Sequence, residues 1–138
     1  MNESRESWVR QVNDELGPFN RLVGLRAQAV GQGWCTVVCP IRPEHLNPRG
    51  GVHGGMSASL MDVAGGISAI FASGEARPIV TQSASYHYLR PLMGNTMRAE
   101  GRVVKAGRRT CLARTEVYDE QDRLCCTGEV ELFYMDET

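Results

Sequence analysis

Lysine is almost missing from this chain. Lys105 is the only one, and arginine supplies the rest of its 15 basic residues. Arginine forks suit phosphate or carboxylate, although a bias of this kind also follows from genomic base composition. An excess of charge of either sign is missing too: the formal net charge is −1, which gives no reason to expect nucleic acid or an anionic membrane as a partner. The longest apolar tract, "VAGGISAIFA", is well short of the roughly 20 residues a membrane span needs. There is no Cys-x-x-Cys, and His45, His53 and His87 sit far from any cysteine pair, so zinc is not expected. Five cysteines leave at least one unpaired. Cys35 and Cys39 share a face of an apparent strand but lie ~13 Å apart by strand rise, too far for a disulfide. The opening "MNESRESWVR" is polar and carries no secretory signature, so reduced thiols and a cytoplasmic setting are expected. No repeat, linker or low-complexity segment interrupts the 138 residues. A hydrophobic fraction of 42% against 22% charged then fits one soluble globular domain over 1–138 with a real core.

What is there reads as helix, two strands, helix, four strands. Residues 4–16 set Trp8, Val9, Val12 and Leu16 against Arg5, Glu6, Arg10 and Asp14 at helical spacing, with Ser4 as N-cap and Gly17-Pro18 as the stop. "LVGLRAQAV" and "WCTVVCPI", separated by Gly31-Gln32-Gly33, read as a hairpin. Pro43 and Pro48 mark an irregular loop before a helix at about 54–72. Strands are expected at 79–89, 95–105, 109–119 and 123–134, and the last alternates Val130, Leu132, Tyr134 against Glu129, Glu131, Phe133. Short connections among these strands imply an antiparallel sheet with the helices on one face, an α+β fold.

The central helix carries Met56, Leu60, Val63, Ile67, Ile70 and Phe71 on one stripe, expected to face the sheet. Most other positions are Gly, Ala or Ser, and several helical glycines, each costing up to about 1 kcal/mol, need a close approach to justify them. Asp62 lies off the stripe among Ala58, Ser59, Gly65 and Gly66, with no basic residue in helical reach. Either it is a solvated surface carboxylate or it is a functional one open to whatever packs there. The helix starts at "VHGG", where unpaired N–H groups and the dipole make an anion site or oxyanion hole, or simply a glycine-rich helix start. Gly54 and Asp62 are ~12 Å apart by helical rise, too far to act on one carbonyl. Two antiparallel helices related by a two-fold axis would bring Asp62 of one beside Gly54 of the other, twice.

The pattern Asn47-Pro-Arg-Gly50-Gly-Val-His53-Gly54-Gly55 through Asp62 resembles the hotdog-fold acyl-CoA thioesterases of the phenylacetate-degradation type. "GPFNRLVGL" (17–25), "IVTQSASYHYLRP" (79–91) and "VVKAGRRT" (103–110) extend the likeness over most of the chain. The resemblance implies an antiparallel sheet wrapped around a long central helix, with a short N-terminal helix in this chain. It implies interfacial sites in a homodimer, commonly paired into a homotetramer, and an acyl-CoA substrate with no cofactor. Asp62 would activate water or attack the thioester, the Gly54 N–H of the other chain would polarise the carbonyl, and Asn47 would hold water or carbonyl. Thr81 would orient the water. Gly55, beside Gly54 at the helix start, would help bind the acyl-CoA, and His53 takes a supporting role. CoA phosphates call for cations, and Arg90, Arg108 and Arg109 are the candidates, though wet turns are charged in any case.

Two other classes compete. A non-catalytic acyl-CoA sensor would keep the pocket and lose the acid, yet Asp62 is present. A hotdog hydratase or dehydratase would want a histidine paired with an acid on one substrate carbon, which His53 beside Gly54 does not suit. His45 and His87 have no constellation around them, so surface or strand positions suffice. Tyr86 and Tyr88 are expected either to line a cleft or to pack.

Overall fold

Alternation and turn chemistry lay out the sheet. The computed structural model describes residues 3–136, so the first two residues of the polar opening stretch lie outside it. Four strands follow the expected order closely: β3 (Ile79–Tyr88), β4 (Thr96–Ala106), β5 (Thr110–Asp119) and β6 (Leu124–Tyr134). Along β6, Val130, Leu132 and Tyr134 point inward and Glu129, Glu131 and Phe133 outward, as their alternation requires. β1 (Arg26–Gly31) and β2 (Trp34–Pro40) form the expected hairpin, closed by Gly33 at a φ of 77°. Cys35, Val37 and Cys39 face inward from β2. All pairings are antiparallel, in the order β1-β2-β4-β5-β6-β3. β3 is therefore an edge strand, paired on one side with β6.

The N-terminal segment departs from the expectation. It holds two helices, α1 (Glu6–Asp14) and α2 (Gly17–Val23), where one helix and the start of a strand were anticipated. Gly17-Pro18 does end α1, but Pro18 then occupies the first turn of α2, where its missing N–H costs nothing. Ser4 is not the cap. Its hydroxyl accepts from the Val30 N–H (3.0 Å) and ties the segment to β1, while Arg5 precedes the helix.

The central helix α3 (Gly54–Ile70) runs as expected, but its packing corrects the single-stripe picture. The small-residue side is also pressed against the sheet. Ala64, Gly65 and Ser68 are buried, the Cys35 thiol donates to the Ala64 carbonyl, and Gly65 faces Val130. Leu60, Met61, Ile67 and Phe71 are buried as well, with Trp8 of α1 stacked on Phe71 at 4.6 Å. Val63 and Ile70 are half-buried. The sheet curls round the helix, so two of its sides find strands. His45 is likewise not a surface residue. In the 3-10 turn Pro43–His45 it is buried, its Nδ1 accepting from the Arg42 N–H (3.0 Å) and its Nε2 donating to the Val23 carbonyl (2.8 Å). That turn pins α2 to the loop leading into α3.

Candidate active site

The loop before α3 is fixed from within. Asn47 Oδ1 accepts from the N–H groups of Arg49 (2.9 Å) and Gly51 (3.3 Å), an Asx-type turn that lets Gly50 adopt a φ of 91°. The Val52 N–H bonds to the Leu92 carbonyl and the His53 N–H to that of His45, anchoring both ends of the entry to the helix. Asn47 thus spends its side-chain carbonyl oxygen on its own loop, while its amide NH2 has no hydrogen-bond partner among the described residues.

His53 is the N-cap of α3. Its Nδ1 accepts from the Gly55 N–H at 2.8 Å, and its carbonyl accepts from Met56 and Ser57. The imidazole therefore braces the helix start. Gly55 is explained by the same contact: a Cβ there would lie 3.0 Å from that Nδ1. The remaining first-turn donor, the Gly54 N–H, has no hydrogen-bond partner among the described residues. Tyr88, at the end of β3, donates its hydroxyl to the Gly54 carbonyl at 2.9 Å and lays its ring against the glycine. Cap and tyrosine bracket one free donor, held at the positive end of a 17-residue helix.

Gly54 opens on a cleft of about 560 Å³ that Asn47, Arg49, Tyr88 and Arg90 also line. Of the expected cations, Arg90 is here. Arg108 and Arg109 are not: the Arg108 carbonyl accepts from Arg77, whose own N–H bonds to Ile70 at the C-terminal end of α3. Within one chain they sit at the far end of the helix from Gly54. Arg49 joins the cleft without having been singled out by the sequence. Its place between Asn47 and Gly50 in a tight turn was the available signal.

Asp62 lies two turns further along α3, half-buried, and Thr81 of β3 donates its hydroxyl to Asp62 Oδ1 at 2.7 Å. No salt bridge reaches the carboxylate among the described residues. Tyr86 stands near it on the inner face of β3. Its phenol is pushed up to about 12, first by burial and then by the Asp62 charge. A carboxylate whose Oδ1 accepts from a hydroxyl can still take a proton or attack through its second oxygen. A separate apolar hollow, lined by Phe19, Leu22 and Met56, flanks the other side of the helix start.

A family model described as "Thioesterase superfamily" matches residues 49–126, from the turn before α3 into β6. The chain belongs to the thioesterase superfamily. It is a thioester hydrolase with the hotdog fold, and solved structures of this superfamily carry the same architecture. Thioesterase HI1161 of Haemophilus influenzae superposes with a TM-score of 0.88 over 99% of this chain and 96% of its own, at 20% identity. A point mutant of the phenylacetic acid degradation protein PaaI from Thermus thermophilus is 28% identical, with a TM-score of 0.78 over 86% of this chain and 100% of that one. The proofreading thioesterase EntH of Klebsiella pneumoniae is 31% identical over 88 residues, 64% of each chain. Among the described residues of this thioesterase, no helix is long and apolar enough to cross a membrane.

Proposed function

We propose that this thioesterase acts as a single domain that hydrolyses an aryl- or medium-chain acyl-CoA to the free acid and CoA, at two sites shared across a homodimer. The observation that carries the reading is the unpartnered Gly54 N–H, held in a cleft with Arg90 and Arg49. A thioester carbonyl oxygen is the kind of acceptor such a donor suits, and guanidinium forks suit the phosphates of CoA.

Asp62 cannot serve its own Gly54, since eight residues of helix separate them by ~12 Å. The β3 edge supports a second chain as the solution. It is ten residues long and unpaired along one side, with Val80 47% and Tyr88 53% exposed. Antiparallel pairing of two β3 strands about a point between Ala84 and Ser85 would bring Thr81, and the Asp62 bound to it, opposite Tyr88 and Gly54 of the second copy. The same pairing would carry Arg108 and Arg109 toward the second copy's cleft. Two such dimers would form the homotetramer.

In the proposed reaction the carbonyl oxygen accepts from Gly54 N–H. Asp62 then either takes a proton from water as its oxygen adds to the carbonyl carbon, or adds its own carboxylate there for water to release. Thr81 keeps the carboxylate aimed, and the Asn47 amide steadies water or carbonyl. The C–S bond breaks, and the CoA sulfur leaves as thiolate and is protonated. Five free thiols, all buried, fit a reducing cytoplasmic setting.

The test is steady release of free CoA from a panel of phenylacetyl, medium-chain and short acyl-CoA esters, for wild type and Asp62→Asn. Wild type should turn over at least one ester continuously. Asp62→Asn should fold and keep its mass while kcat falls by about 10²–10⁴-fold. Tight ester binding without release by wild type would point to a sensor, and a water adduct in place of free CoA to a hydratase. An Asp62→Asn protein with near-full activity would remove Asp62 from the site.

A further inference from the structure

At the C-terminal end of α3, one side chain gathers the tail of β6 and the β4–β5 turn. Arg77, between α3 and β3, donates from Nε and Nη2 to the two carboxylate oxygens of Asp136 at 2.7 and 3.0 Å. Its Nη2 also donates to the Arg108 carbonyl at 2.7 Å, and its Nη1 to that of Gly107 at 3.5 Å. The guanidinium lies over the Tyr134 ring, 3.7 Å from its centroid, and the Arg77 backbone N–H bonds to the Ile70 carbonyl. The Tyr134 hydroxyl in turn donates to the Ala69 carbonyl at 2.8 Å.

The turn is already closed without Arg77. The Gly107 N–H bonds to the Thr110 carbonyl, and the Tyr134 N–H to that of Arg109. The two bonds from Arg77 add a tether that draws the carbonyls of residues 107 and 108 inward. Arg108 and Arg109 themselves are exposed, and their guanidinium groups have no ion-pair partner among the described residues. A partly exposed ion pair such as Arg77–Asp136 adds little to stability, so stability alone is a weak reason for tethering a wet turn.

We propose that Arg77 and Asp136 are positioning residues for the CoA half of the substrate, a role that rests on the acyl-CoA reading above. They hold the β4–β5 turn so that Arg108 and Arg109 meet the phosphates of CoA bound in the second copy's cleft. A turn ordered before binding spares the complex the entropy of ordering it, and guanidinium forks match phosphate oxygens once they are in place. Arg77 itself does not reach the phosphates, because carbonyls and a carboxylate occupy its fork. Asp136 offsets the charge of Arg77 and keeps that fork turned toward the two carbonyls.

The test is steady-state kinetics on an acyl-CoA that wild type turns over and on the matching acyl-pantetheine, which has the same thioester and no phosphate. Asp136→Ala separates positioning from plain charge, since removing a carboxylate near a phosphate site would by charge alone lower KM for the CoA ester. Positioning requires the opposite: KM for acyl-CoA about 3–10-fold higher, with kcat and the KM for acyl-pantetheine unchanged. Arg77→Lys keeps the charge but loses the planar fork, and should raise the same KM. In an Arg108→Ala/Arg109→Ala background, Asp136→Ala should add nothing. Amide hydrogen exchange over 106–110 should quicken in Asp136→Ala, a readout independent of activity. An unchanged or lowered KM for acyl-CoA, an equal rise for both esters, or exchange that does not quicken would each overturn the positioning role. If Arg108→Ala/Arg109→Ala itself leaves KM for acyl-CoA unchanged, the assignment of these arginines to CoA phosphates fails, and the positioning role falls with it.

Discussion

Gly54 raises the question of why a helix should begin on a residue that destabilises it. The fold does not require glycine there: a Cβ would lie 3.4 Å from the Tyr88 ring, an ordinary contact, and Gly54 has no left-handed φ. What the position supplies is an N–H with no hydrogen-bond partner among the described residues. Two substitutions separate shape from donor. Proline favours the first helical position, and His53 before it already has φ −58° and ψ 137°, the extended conformation a residue preceding proline adopts. Gly54→Pro therefore deletes the donor with little backbone cost. We expect it to melt within a few degrees of wild type yet lose about 10²–10³-fold in kcat, the usual loss of one oxyanion donor. Gly54→Ala keeps the donor and should lose far less. Steady-state kinetics beside thermal melts decides, and equal activity of the proline variant would remove this N–H from the chemistry.

Between helix and sheet, glycines serve two different needs, and stability measurements can tell them apart. Gly101 of β4 lies under α3, where a Cβ would stand 2.5 Å from the Ala64 carbonyl oxygen and 2.6 Å from Ser68 Oγ. Backbone cannot yield as a side-chain tip does, so Gly101→Ala should cost about 2–3 kcal/mol in urea unfolding. Gly66 has only side-chain tips nearby, Ile79 at 3.4 Å and Leu132 at 3.9 Å, and Gly66→Ala should gain up to about 1 kcal/mol of helix propensity. The strands and α3 were legible because their patterns are local: alternation over ten residues, small residues marking close packing. α2 was not, because Gly17-Pro18 is both the end of one helix and the start of the next, and a stop signal carries no information about the element beyond it. At the site, the sequence pointed to Asp62, Gly54 and the capping of His53. The bond from Thr81 to Asp62 joins residues 19 apart in sequence, so helical spacing around Asp62 could not reveal it. Arginines advertise charge without location, which is why Arg90 stands at the cleft while Arg108 and Arg109 lie at the opposite end of α3.

At the scale of the assembly, a site divided between two chains has a consequence that no single-chain site shares. In the proposed site, Gly54→Pro would disable the donor half and Asp62→Asn the carboxylate half. Each homodimer would carry two broken sites. In a heterodimer of the two, one site receives the intact Gly54 of one chain and the intact Asp62 of the other, while the second receives both defects. Dissociating and reannealing an equal mixture gives half the dimers as heterodimers, so about a quarter of wild-type turnover should return. A site confined within one chain predicts no recovery, because every chain in the mixture carries one defect. The measurement needs only CoA release before and after subunit exchange, with unexchanged mixed homodimers as the baseline. Recovery to that level would mean that the ~12 Å of helix between Gly54 and Asp62 is bridged by the second copy. Activity that never rises above the baseline would overturn the shared site and leave Gly54 and Asp62 without a common carbonyl.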